Sequence, residues 1–236
     1  MQAQITRASV DGMPLFEPLA PEAIDEILRL AASRRFPAGA RVFEQGETAT
    51  QFYVLLHGRL RVTQVTSEGQ QVVVRMVNPG DLFGIAKALQ RLDYPGTATA
   101  VADSVVLCWP MKLWSEFVTR YPMLAVGAMQ AIGSRFLEAQ QRLQELSTEE
   151  VERRVAHAVL RLANQSGRKE KDGIRIDFPI SKQDIAEMTG TTLHTVSRIL
   201  TAWEAAGLVE GGRQKLLVRD PHGLLLLADG LNPGHL

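Results

Sequence analysis

The period of the apolar positions changes twice along this chain. Between residues 40 and 109, short β-branched and aromatic runs alternate with glycines at 39, 46, 58, 69 and 80, which predicts strands over 40–44, 51–57, 59–66, 70–77, 81–83, 97–102 and 104–109. A short helix over 21–30 precedes them, and the strands together make a compact all-β unit of the jelly-roll or similar barrel type. From Pro122 to Leu146 the period becomes three to four, with Ala128, Ile132, Phe136, Ala139, Leu143 and Leu146 on one stripe and no internal proline. That is a long amphipathic helix, whose apolar face can pack on its own β unit or on a second copy. Ser147, with Glu150 three residues on, reads as a capping box that opens a further helix to about Asn164 and puts a hinge at 146–148.

The last third carries the pattern of a groove-reading motif. Ser181 is a suitable N-cap with Asp184 three residues on, Ile185 and Met188 give one apolar face, and Gly190 ends the helix. Thr191 and Thr192 offer a second cap, and Val196, Ile199, Leu200 and Trp203 recur at helical spacing until Gly207. If that stripe is buried, His194, Ser197 and Arg198 stand on the opposite face. Two short helices about a glycine are also an ordinary αα-hairpin. The following stretch, 208–218, favours DNA, because it reads as two apolar runs about a Gly211-Gly212 turn, a wing whose Arg213 and Lys215 would meet phosphates.

Composition narrows the classes. The chain has 236 residues, 45% hydrophobic and 22% charged, enough for a sizeable core and for division into 1–121, 122–146 and 147–236. No apolar run approaches the roughly 18–20 residues of a membrane span, and residues 1–7 lack the apolar core of a signal peptide, so the expected compartment is the cytoplasm, with no membrane partner. Cys108 stands alone, which excludes an internal disulfide and an iron–sulfur cluster held by this chain's cysteines. Net charge is zero, unlike many DNA binders, yet between residues 193 and 219 Arg198, Arg213, Lys215 and Arg219 outnumber Glu204 and Glu210. No Gly-x-Ser-x-Gly elbow, His-Glu-x-x-His helix, phosphate loop or Cys-x-x-Cys occurs, so an enzyme is not expected.

Three runs carry a resemblance: Val42-Phe43-Glu44-Gln45-Gly46-Glu47, Phe52 to Gly58, and Val77-Asn78-Pro79-Gly80-Asp81-Leu82-Phe83-Gly84. They are similar to the cyclic-nucleotide-binding domain, and with the C-terminal motif the chain resembles the Crp/Fnr family over about residues 14–220. The resemblance implies an α+β chain: an N-terminal cyclic-nucleotide-binding-type β jelly roll, a long dimerisation helix and a C-terminal winged helix-turn-helix. It further implies an allosteric homodimer that regulates transcription at a palindromic double-stranded operator, with RNA polymerase as a further partner. A regulatory module whose C-terminal helices bind a protein is the alternative.

The same resemblance places an effector pocket at Phe83, Gly84, Ile85, Gly96, Thr97, Ala139 and Gln140. Members that bind cyclic AMP carry Phe-Gly-Glu, an Arg-Ser or Arg-Ala pair, and a Thr-Ser pair at these places. Here Ile85 replaces the glutamate, Gly96-Thr97 offers no cation for a phosphate, and Ala139-Gln140 replaces Thr-Ser. Cyclic AMP is therefore not the expected effector. The run Thr192, Leu193, His194, Thr195, Val196, Ser197, Arg198 looks like the nitric-oxide-responsive NnrR-type branch, which implies haem as a route to sensing. Its candidate ligands would be His57, Met76, Cys108 and His157, each of which also has an ordinary structural explanation.

Overall fold

A computed structural model describes residues 5–231; residues 1–4, part of the segment read above for a signal peptide, and residues 232–236 lie outside the described residues. Its contacts divide into two compact units, residues 5–70 with 74–138, and residues 139–231 with 71–73. No described helix is long and apolar enough to cross a membrane.

The first unit begins with α1 (Pro21–Arg29), whose Pro21 sits at the first helical position where a missing N–H costs nothing. Strands β1 (Ala32–Phe36), β2 (Arg41–Phe43), β3 (Gln51–Val65), β4 (Gln71–Val77), β5 (Leu82–Phe83) and β6 (Thr97–Pro110) follow. They form an antiparallel sheet in the order β1-β6-β3-β4, with β2 also on β6 and β5 on β3. One apolar cluster gathers Phe52, Val54, Leu107 and Trp109 with Ile27 and Leu28 of α1 and with Trp114 and Phe117 of α2 (Leu113–Arg120). There Trp109 stacks on Phe52 at 5.4 Å and donates its indole N–H to the Ile27 carbonyl at 2.8 Å, which satisfies the one polar atom the ring buries.

Two predicted strand breaks are absent. Residues 51–65 and 97–110 are each one continuous strand, because Gly58 makes a bulge rather than a turn. The β3–β6 register shifts between Leu55 and His57, again before Arg59, and once more before Leu60. Gly58 has φ +91°, and a Cβ there would stand 2.4 Å from Ser104 Oγ and 2.5 Å from the Asp103 carbonyl. Buried Ser104 instead accepts the Arg59 N–H at 3.1 Å.

The long helix α3 runs Pro122–Thr148. The predicted stripe divides along it. Leu124 and Ala128 are buried in the β unit's own core, with Ile132 packed against it, whereas Phe136, Leu143 and Leu146 are exposed. The capping box at Ser147 does not form. Ser147 and Thr148 remain helical and donate their hydroxyls back to the carbonyls of Leu143 and Gln144 at 2.8 and 2.9 Å, leaving Glu150 as an N-cap without a side-chain bond. The elbow is therefore at Glu149 and Glu150, not at 146–148.

In the second unit α4 (Val151–Ser166) packs against α5 (Lys182–Thr189) and α7 (Pro221–Ala228). A four-stranded antiparallel sheet orders β7 (Gly167–Glu170), β8 (Gly173–Ile176), β10 (Lys215–Val218) and β9 (Val209–Gly212) as β7-β8-β10-β9. The β7–β8 hairpin, β1, α2 and α7 come as additions to the expected elements.

Gly58→Ala should destabilise the β unit by about 2–5 kcal/mol, combining left-handed strain with overpacking. Gly69, at φ +78° with nothing near its Cβ position, isolates the first contribution. Gly69→Ala should cost only about 1–2 kcal/mol. Equal urea-denaturation midpoints for the two variants would contradict this account of the bulge.

Candidate nucleic-acid interface and effector pocket

The two short helices are capped as their sequences require. Ser181 Oγ accepts the Asp184 N–H at 3.1 Å while Asp184 accepts the Ser181 N–H at 2.9 Å, a reciprocal box that fixes where α5 begins. Gly190 adopts φ +62° and the Thr191 N–H returns to the Ala186 carbonyl at 3.1 Å, closing the turn. Thr192 then caps α6 (Leu193–Ala205), accepting the Thr195 N–H at 3.2 Å, and the two threonine hydroxyls lie 2.9 Å apart.

Burial sets the rotation of α6. Val196, Leu200 and Trp203 are buried, Ile199 is half-buried, and the Trp203 indole donates to Glu152 of α4 at 2.9 Å. His194 and Arg198 are exposed on the other side, and among the described residues neither side chain has a hydrogen bond or ion pair. Ser197 is half-buried and its hydroxyl accepts from Lys182 Nζ at 3.3 Å. Lys182, the first residue of α5, thus joins a face on which the sequence pattern places only α6 residues. Its only sequence signal is a cation directly after the N-cap, and its partner is fifteen residues away.

The wing forms, with its turn displaced. Gly211 and Gly212 belong to β9, paired with Leu216 and Lys215, and the two-residue loop is Arg213-Gln214 with Gln214 at φ +57°. The Gln214 carbonyl accepts the Ile180 N–H at 3.2 Å, which ties the loop to the residue before the α5 cap. Arg213 and Lys215 are exposed. Arg219 leaves the set of available cations, since Glu210 accepts from its Nε at 2.9 Å and also pairs with its Nη2.

On the β unit, the stretch read as an effector pocket is dense with aromatic rings. Phe43 stacks on Tyr94 at 3.9 Å and Tyr53 on Phe83 at 5.1 Å. Gly84 has φ +68°, and a Cβ there would stand 2.8 Å from the Tyr53 ring. Ile85 is buried. Gly96 is buried too, its Cβ position 2.7 Å from the Thr63 carbonyl, and Thr97 Oγ1 accepts the Gln45 N–H at 3.0 Å. Ala139 and Gln140 are exposed on α3. Burial pushes the Tyr53 phenol up, so the ring stays neutral.

The four haem-ligand candidates lie on different elements. Cys108 is buried, its thiol 3.3 Å from the Ala32 carbonyl and raised by burial, which opposes the thiolate that iron would need. Met76 is buried on β4. His157 lies 3.4 Å from Glu149 on α4, and His57 is exposed at the β3 bulge. Among the described residues no group of three or more His, Cys, Asp or Glu side chains could hold a metal ion.

Residues 33–121 match the cyclic nucleotide-binding domain, and residues 153–227 match the Crp-like helix-turn-helix domain. The chain is 32% identical over 220 residues to the cyclic AMP receptor protein of Thermus thermophilus, covering 93% of this chain and 99% of that one. It is 27% identical over 191 residues to the global nitrogen regulator of Synechocystis, covering 80% and 85%. A solved CRP-family transcriptional regulator, also from Thermus thermophilus, superposes with a TM-score of 0.72 at 25% identity, covering 84% of this chain and 97% of that one. These relatives are regulators of transcription rather than enzymes. With a reading helix capped, rotated and flanked by a wing, and a β unit of the matching type, this chain belongs to the Crp/Fnr family of DNA-binding transcription regulators.

Proposed function

We propose that the chain acts as an effector-controlled homodimer, with residues 1–121 as sensor, 122–146 as dimerisation helix and 147–236 as reader, and that two copies of α6 read a palindromic operator. The carrying observation is the exposed pair His194 and Arg198 opposite the buried Val196, Leu200 and Trp203. Arg198 supplies the bidentate fork that guanine O6 and N7 accept. His194 stands where better-known family members place glutamate, so operator preference differs at that base pair. Thr192, Thr195 and Ser197 flank this face, and Lys182, Arg213 and Lys215 supply phosphate contacts, which position without reading sequence.

Dimerisation is supported by the uncovered face of α3. Met129, Phe136, Leu143 and Leu146 are 66, 68, 65 and 49% exposed. With Ile132 and Ala139 they follow a seven-residue repeat, 129-132-136-139-143-146, the seam of a two-stranded coiled coil. A two-fold axis along it would set the reading helices roughly 34 Å apart, one turn of DNA. RNA polymerase is the partner such a bound dimer would recruit or block.

The effector is read as something other than cyclic AMP, because Ile85 offers no carboxylate for a ribose hydroxyl and Gly96-Thr97 offers no cation for a phosphate. The relative named a cyclic AMP receptor makes that nucleotide a necessary arm of the test. Nitric oxide sensing through haem rests on the similarity of residues 192–198 to the NnrR-type branch, and His57 is the candidate ligand with an exposed imidazole. A reconstituted protein without a Soret band removes that route.

Selection of bound DNA from a random pool, with and without cyclic AMP, nitric oxide and haem, should return a two-fold symmetric site. Asymmetric or unenriched pools would reject the operator reading. Arg198→Ala should cost about 1–3 kcal/mol on the selected site and much less on random DNA. Lys182→Ala should instead weaken all sequences alike and lower the salt slope by about 1. Leu143→Glu should give monomers in light scattering; retained dimers would show that the seam lies elsewhere.

A further inference from the structure

The sensor unit holds two guanidinium groups that the interface above does not use. Arg75 on β4 keeps 15% of its side-chain surface, and its Nη2 donates to Asp81 Oδ2 at 3.2 Å. That oxygen already accepts the Asn78 N–H at 3.0 Å, so the carboxylate is shared. Arg75 Nε is buried and has no hydrogen-bond partner. Arg135 on α3 donates from Nη2 to the carbonyl of Leu82, a neutral acceptor. Burial first, and then the Arg135 charge, pushes Arg75 down to about 10, against the pull of Asp81 and Glu138. Arg135 is lowered by burial as well. Asp81 and Glu138 attract both cations, yet Arg75 Nε has no hydrogen-bond partner and the Arg135 bond goes to a neutral carbonyl.

We propose that Arg75 and Arg135 form an oxyanion-binding subsite of the effector pocket, taking a carboxylate or phosphate group of a small metabolite. This rests on the reading of the β unit as a sensor. Arg135 bonds the residue before Phe83, so the subsite adjoins segment 83–85. A bound oxyanion would satisfy Arg75 Nε, oppose the repulsion between the two cations, and join β4 to α3. Binding that favours one placement of α3 is what an allosteric effector requires. Nothing local in the chain marks the pair, because sixty residues separate its members.

Calorimetric titration of the full chain with succinate, inorganic phosphate and cyclic AMP, each against sodium chloride at equal ionic strength, tests this. Saturable binding of succinate or phosphate is expected, and whichever binds identifies the group. Arg75→Gln and Arg135→Gln should each weaken it by at least about tenfold. Arg75→Lys keeps the charge with less disturbance to folding, and should also lose affinity because the fork is gone. Absence of saturable binding by every anion, or equal binding by wild type and variants, overturns the subsite. Cyclic AMP binding that depends on both arginines keeps the subsite and instead overturns the exclusion of that nucleotide. Operator binding, measured separately, decides the DNA reading whatever the titrations give.

Discussion

The indole of Trp203 governs what this protein can present to DNA. Its ring is buried with Val196 and Leu200, and its N–H is committed to Glu152, so α6 has one rotational setting. Rotating the helix by one residue would bury His194 or Arg198 and expose the indole, losing both apolar burial and a satisfied polar group. Glu152 lies in the first turn of α4, next to the elbow. The reading face is therefore registered to the helix that follows α3 through packing rather than through the turn alone.

Local signals make much of this legible. Ser181, Gly190 and Thr192 act through bonds within four residues, so their roles are readable from spacing, and the observed caps agree with them. The jelly-roll class and the long helix follow from period alone. Gly58 misleads because a left-handed glycine serves a turn and a bulge equally well; only Ser104, forty-six residues on, tells them apart. Ser147 misleads for a related reason, since a serine hydroxyl can bond forward as a cap or backward to a carbonyl, and its helix decides. Lys182, Arg75 and Arg135 acquire their meaning only from partners that lie on other elements.

The β unit matches the cyclic nucleotide-binding domain in its backbone while its interior carries a cluster of aromatic rings. The stretch that matches the cyclic nucleotide-binding domain keeps its glycine turns, while Phe43, Tyr53, Phe83 and Tyr94 fill the neighbourhood of Gly84 with rings. Tyr94 gives its hydroxyl proton to the Gln51 carbonyl at 2.7 Å and accepts the Gln51 N–H at 3.1 Å, so the ring cannot swing aside without orphaning a strand end.

The bond from Ile180 to the wing loop has a consequence for which operators the protein tolerates. The Gln214 carbonyl holds the segment that leads into α5, so a backbone hydrogen bond ties the wing loop to the start of the helix pair. If Arg213 and α6 contact DNA as proposed, a duplex whose backbone does not meet Arg213 while its base edges meet α6 would have to deform, at an energetic cost that depends on its sequence. On the proposed operator reading, such a protein would measure groove width as well as bases, and would discriminate at positions that no side chain touches.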